Sequence, residues 1–98
     1  MTLEEIKKIA EIAGMYDLDF PSQVDEFFEK VYNPVRNAIA NNDETVINYL
    51  TNCTKEERAY LFTAVEDGTI KGKHPEAMAL YKMYCAEKGY AIDSRISV

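Results

Sequence analysis

Lys71, Lys73 and His74 stand together just ahead of Pro75, and in this 98-residue chain they are the residues that most invite a chemical reading. The first backbone amides of a helix lack intrahelical partners, so two ammonium groups and an imidazole before a helix start can hold an anion. The pattern Gly68-x-x-x-Gly72-Lys73 approaches the phosphate-cradling P-loop but is one residue short. It places His74 where a Ser or Thr would hold magnesium, and it follows a helical pattern instead of a strand. Nucleotide hydrolysis is set aside on these grounds. Anion or nucleotide binding by the basic segment 71–76 remains as an alternative, with the Glu76 carboxylate competing for the same amides.

Other candidate chemistry is thinner. The chain has one histidine and two cysteines, Cys53 and Cys85, without the Cys/His spacing of a metal site. Asp17 and Asp19 could open a calcium loop, but the sixth and twelfth places of that loop hold Ser22 and Phe28 instead of Gly and Glu. Asp25 and Glu29 lie one helical turn apart on a face that should be wet, a poor setting for general acid–base work. No catalytic residue, metal or cofactor is expected. With no apolar secretory stretch at residue 1, the cysteines are read as unpaired thiols of a cytoplasmic protein, and no apolar run is long enough to span a membrane.

Charge placement is more informative than catalytic motifs. Residues 1–50 hold ten Asp/Glu against four Lys/Arg, whereas residues 51–98 hold seven of each. An acidic half repels nucleic acid phosphates and anionic lipid, so direct binding to either is not expected; a basic protein partner suits it. Seven tyrosines in so short a chain exceed what one core absorbs, and tyrosine is enriched at interface centres.

The elements that must position these groups are helical. Leu3, Ile6, Ile9, Ala10 and Ala13 form a stripe over residues 3–13, opened by a Thr2–Glu5 capping box and closed by Gly14. A central helix runs from Pro21 and Ser22 to Ile39, with Val24, Phe27, Phe28, Val31, Val35, Ala38 and Ile39 on one face; Phe27, Phe28 and Val31 are expected in the core. The stripe stays in phase across Pro34, which predicts a kink there. Asp43 caps a short helix, and a second capping box, Thr54–Glu57, opens another that closes at Asp67-Gly68. Residues 68–74 read as an irregular loop, Pro75 to Gly89 as the last helix, and 93–98 as a flexible tail.

The expected architecture is therefore all-α: a compact bundle of five or six short helices around a central kinked helix, forming one domain over residues 1–92. The expected function is non-enzymatic binding of a basic protein partner, for example a nucleic-acid-handling protein, as a regulator or stoichiometric inhibitor. Asp25, Glu26 and Glu29 on the central helix, Glu4 and Glu11 on the first, and Tyr81 and Tyr84 on the last are the candidate contact residues. The other alternative is a structural subunit that self-associates.

Overall fold

Three helix starts in this protein are fixed by side chains that satisfy free amides of the first turn. The Glu5 amide donates to Thr2 Oγ1 at 3.2 Å and the Thr2 amide to Glu5 Oε1 at 3.0 Å, opening α1 (Leu3–Ala13). Asp43 Oδ1 accepts from the Thr45 and Val46 amides ahead of α4 (Glu44–Asn52). Thr54 and Glu57 repeat the capping box at the head of α5 (Lys55–Gly72). Pro75 occupies the first turn of α6 (Pro75–Lys88), and Gly89, at φ 69°, ends it in the left-handed conformation. The structure is a computed structural model that describes residues 1–96, and the all-α expectation holds, with no strand among the described residues.

The central segment is helical throughout but not uniformly so. It comprises α2 (Pro21–Phe27), a π-helical turn (Phe28–Tyr32) and α3 (Asn33–Ala40). The Asn33 amide donates to the Phe28 carbonyl, five residues back. Pro34 explains the position of this wide turn. A proline ring clashes with the carbonyl four residues earlier, and loosening the preceding turn relieves the clash without breaking the helix. The wide turn takes up about one extra residue, rotating everything upstream by roughly 100° from the phase read across Pro34. Val31, Val35, Ala38 and Ile39 are accordingly buried, but Phe27 is only half-buried and Phe28 is 45% exposed. The expectation that both phenylalanines lie in the core is corrected by this rotation.

The largest helix contact joins α3 to α5. Leu61, Ala64, Val65, Gly68 and Thr69 are its buried positions on α5, an in-phase stripe. Gly68 therefore does not end the helix, which runs on to Gly72. A methyl group on Gly68 would lie 2.7 Å from the Arg36 carbonyl oxygen and 2.7 Å from Ile39 Cβ, and one on Gly72 would lie 2.8 Å from Ala40 Cα. The two glycines let the backbones of α3 and α5 approach closely. The expected loop over residues 68–74 shrinks to Lys73, in the left-handed conformation at φ 55°, and His74.

The buried cluster passes through α1, the π turn, α3, α4, α5 and α6 and takes in Ile96, which is 2% exposed. The Asp93 amide donates to Tyr81 Oη at 3.0 Å, and Arg95 pairs with the Asp93 carboxylate at 2.8 Å. Residues 93–96 are thus seated on the body, contrary to the expected flexible tail; for residues 97 and 98 that expectation lies outside the described residues. Cys53 is half-buried and Cys85 buried, and both are free thiols. No described helix is long and apolar enough to cross a membrane.

Candidate functional site

The carboxylates singled out from sequence all reach solvent, but they do not stand as one free acidic face. Glu4 and Glu11 are exposed on α1, where Lys7 and Lys8 are exposed among them. Asp25, Glu26 and Glu29 are exposed on α2 and the π turn, and Glu26 is paired with Lys30 Nζ at 2.8 Å. Of these five residues, Glu11 lines a groove.

Tyr81 and Tyr84 are corrected outright as contact residues: they are 0% and 2% exposed. Both sit on the inward stripe of α6, and each hydroxyl finds a partner inside the fold. Tyr81 donates to Glu66 Oε2 at 3.0 Å and Tyr84 to the Leu50 carbonyl at 2.8 Å. Burial pushes both phenols well above the usual tyrosine range. A buried tyrosine with a bonded hydroxyl is core, whatever its promise at an interface.

The basic segment is also rearranged. Lys71 lies in the last turn of α5, Lys73 caps that helix, and both are exposed. His74 is half-buried, its Nε2 3.1 Å from the Ala40 carbonyl oxygen, so the imidazole is committed to α3. The imidazole is thus turned away from the first amides of α6, where Glu76 supplies the first-turn charge.

Two grooves meet instead at Tyr60, which lines both. Tyr60 neighbours the buried stripe of α5 without belonging to it and is 55% exposed. Its ring lies over Gly14 at the end of α1, where an added methyl would be 2.7 Å from the ring. Gly14, at φ −84°, has no left-handed strain to relieve; its missing side chain makes room for Tyr60.

On one side of Tyr60 is an open groove of about 430 Å³ between α1 and the α4–α5 junction, lined by Ala10, Glu11, Gly14, Tyr49, Thr54, Glu56, Glu57 and Tyr60. Glu57 is committed: it closes the Thr54 cap and accepts from Tyr49 Oη at 3.0 Å. Burial, with Glu57 adding to it, pushes the Tyr49 phenol up to about 12. Glu11 and Glu56 stay exposed. Lys7 and Lys8, one turn ahead of Glu11 on α1, are exposed, whereas the cations flanking Glu56 lie on the other side of α5. Arg58 forks onto Glu87 of α6 at 3.0 and 2.7 Å and bonds the Cys53 carbonyl, and Lys55 lines the same α5–α6 side.

On the other side of Tyr60 is a groove of about 260 Å³ lined by Ala13, Tyr16, Leu18, Phe27, Val31, Tyr32, Ala59, Tyr60, Leu61, Thr63 and Ala64. Its aromatic wall is continuous, with ring centroids 5.9 Å apart for Tyr16–Phe27, 6.1 Å for Phe27–Phe28 and 4.8 Å for Phe28–Tyr32. Tyr32 Oη bonds Asp67 on α5, and the Arg36 guanidinium lies 5.7 Å from the Tyr32 ring centre. Burial and Asp67 raise the Tyr32 phenol. The wall is braced from behind and needs no ligand to form.

Periodicity could have found Tyr60, since the spacing from Leu61 through Ala64, Val65 and Gly68 excludes it from the buried face. The pairing of Glu11 with Glu56 depends on how α1 crosses α5, which no local pattern encodes. No group of His, Cys, Asp and Glu among the described residues could hold a metal ion. The chain matches no protein-family model, no curated protein and no solved structure.

Proposed function

We propose that this chain is a non-enzymatic protein-binding module that takes a basic segment of a partner in the groove between α1 and the α4–α5 junction. One observation carries the reading: Glu11 and Glu56 stand exposed on a groove whose floor carries Tyr49 and Tyr60, while the neighbouring cation Arg58 is held away by Glu87. Tyrosines and free carboxylates lining one groove suit an arginine or lysine side chain, which can lie on a ring and pair at its tip. Binding by occupancy, without turnover, fits a regulator or stoichiometric inhibitor. The anion-binding alternative loses support from the His74–Ala40 contact, which withdraws the imidazole from the basic segment.

The test is titration of the full chain with a Lys/Arg-rich peptide, read by residue-resolved NMR shifts. Shifts should concentrate at Glu11, Tyr49, Glu56 and Tyr60 and fade with added salt, because exposed charges are screened over about 10 Å at 0.1 M. Reversing Glu11 and Glu56 to Lys replaces two exposed attractions with repulsions. At about 0.2–1 kcal/mol for each of these four terms, two attractions lost and two repulsions gained, affinity should fall roughly fourfold to several-hundredfold. Reversing Asp25 and Glu29 should change it far less. Equal losses from the two pairs of reversals would mean diffuse attraction and would end the proposal.

A further inference from the structure

We infer that the aromatic groove on the far side of Tyr60 is the anchor site for the same partner, which is an amphipathic segment carrying large apolar side chains beside Lys or Arg. The inference rests on the preceding reading of the acidic groove and adds the second half of the recognition surface. Leu18 and Tyr60 are each 55% exposed although both line the groove, and Phe28, next in the ring series, is 45% exposed. Apolar surface gathered around a concavity is what an interface core requires; isolated exposed apolar residues would need no such account.

Charge identifies the occupant. Residues 11–32 supply most of the groove's aromatic wall and contain six Asp/Glu against one Lys. That lysine, Lys30, is already paired with Glu26. Asp17 and Asp19 flank exposed Leu18, and Glu11 and Glu56 lie just across the shared Tyr60 ring. A second copy of this chain would bring the same acidic segment to the contact, and like charges oppose that pairing. Apolar side chains on a helix, recurring at every third or fourth position, fit an open aromatic groove of this size, and basic residues on the same segment reach the adjoining carboxylates. The tyrosine shared by both grooves fixes which part of the segment lies on which side.

The experiment is selection of a peptide display library, randomised at every position, on the immobilised full chain, followed by anisotropy measurements on the enriched peptides. Thr63→Trp fills the groove from an exposed position of α5, and Leu18→Ser removes an exposed wall residue; both variants are checked for cooperative melting. Enriched peptides should combine large apolar residues at helical spacing with Lys or Arg. Their affinity should fall at least about tenfold in either variant and several-fold on reversal of Glu11 and Glu56. Basic peptides without apolar anchors, indifferent to Thr63→Trp, would overturn this inference and leave the acidic-groove reading standing. Apolar peptides indifferent to the charge reversal would overturn both. Failure to enrich any peptide would overturn the inference too, as would self-association of the chain that Thr63→Trp abolishes, which would assign the groove to a second copy.

Discussion

Replacing Gly68 or Gly72 with alanine sets two opposed effects against each other, and the structure decides which wins. In a helix interior, Gly→Ala normally stabilises by about 0.8–1.0 kcal/mol, because alanine has less backbone freedom to lose. At Gly68 the new methyl would stand 2.7 Å from the Arg36 carbonyl oxygen and from Ile39 Cβ, where ordinary contacts are about 3.5–4.0 Å. Relief requires α3 to retreat from α5 by about 1 Å, and a gap of that size forfeits a quarter to a half of each dispersion contact along the seam. Overpacking of this kind costs about 1–3 kcal/mol and can cost more. The net expectation for Gly68→Ala is destabilisation by about 1–2 kcal/mol. Gly72→Ala should cost at least as much, since the nearest atoms there are all Ala40 backbone and no side chain can turn aside.

Urea titration followed by far-ultraviolet circular dichroism measures the effect. At about 1–3 kcal/mol per molar for a small domain, the midpoint should drop by roughly 0.3–2 M without a change in slope. Ala79→Gly, at an exposed position of α6, is the control for the ordinary sign and should cost about 1 kcal/mol. A Gly68→Ala protein more stable than its parent by about 1 kcal/mol would refute the close approach of α3 and α5.

Three further outcomes follow from burial and titration. Phe28→Ala should cost under about 1 kcal/mol because the ring is largely exposed, whereas Val31→Ala, three residues on and fully buried, should cost about 1–3 kcal/mol; the reverse order in urea melts would restore the uninterrupted helical phase. Ile96→Ala should cost at least about 2 kcal/mol if the tail is docked, and a loss below about 0.5 kcal/mol would mean that it is free. In alkali, the folded phenols of Tyr49, Tyr81 and Tyr84 are raised above their unfolded value near 10, so the native state holds these protons more tightly. Their contribution is complete below about pH 10 and is lost as pH rises beyond it; ultraviolet difference titration should show the Tyr81 and Tyr84 phenolates appearing only as helical signal disappears, and their ionisation with helices intact would contradict their burial.

What the sequence discloses about this fold is mainly what is local. Thr2–Glu5, Asp43 and Thr54–Glu57 are legible as helix starts because each cap closes within three residues. Gly68 is ambiguous for the opposite reason. A glycine near a helix end is either a stop or a place of close approach, and only the chain opposite, here Arg36 and Ile39, distinguishes the two. Its continuation is nevertheless legible, since Leu61, Ala64, Val65, Gly68 and Thr69 keep one phase. Phe28 fails differently. Periodicity presumes 3.6 residues per turn, and one wide turn ahead of Pro34 invalidates the phase on its upstream side while leaving Val35 and Ile39 correct.

The candidate site repeats that division between local and distant information. Counting charges gives the right sign for residues 1–50 but picks residues by their place on separate helices. The field at a groove depends on which cations the fold removes. Glu26 holds Lys30, Glu87 draws Arg58 toward α6, and the Arg36 guanidinium lies against Tyr32. Lys30 and Arg58 are thereby neutralised, whereas Arg36 stays beside the aromatic groove and Lys7 and Lys8 remain exposed on the same helix as Glu11. The same π turn that displaces Phe28 from the core carries Val31 and Tyr32 to the aromatic groove. The local irregularity imposed by Pro34 therefore serves the surface as well as the helix: an ideal helix in the downstream phase would have buried Phe28 and left the ring series from Tyr16 to Tyr32 without one of its exposed members.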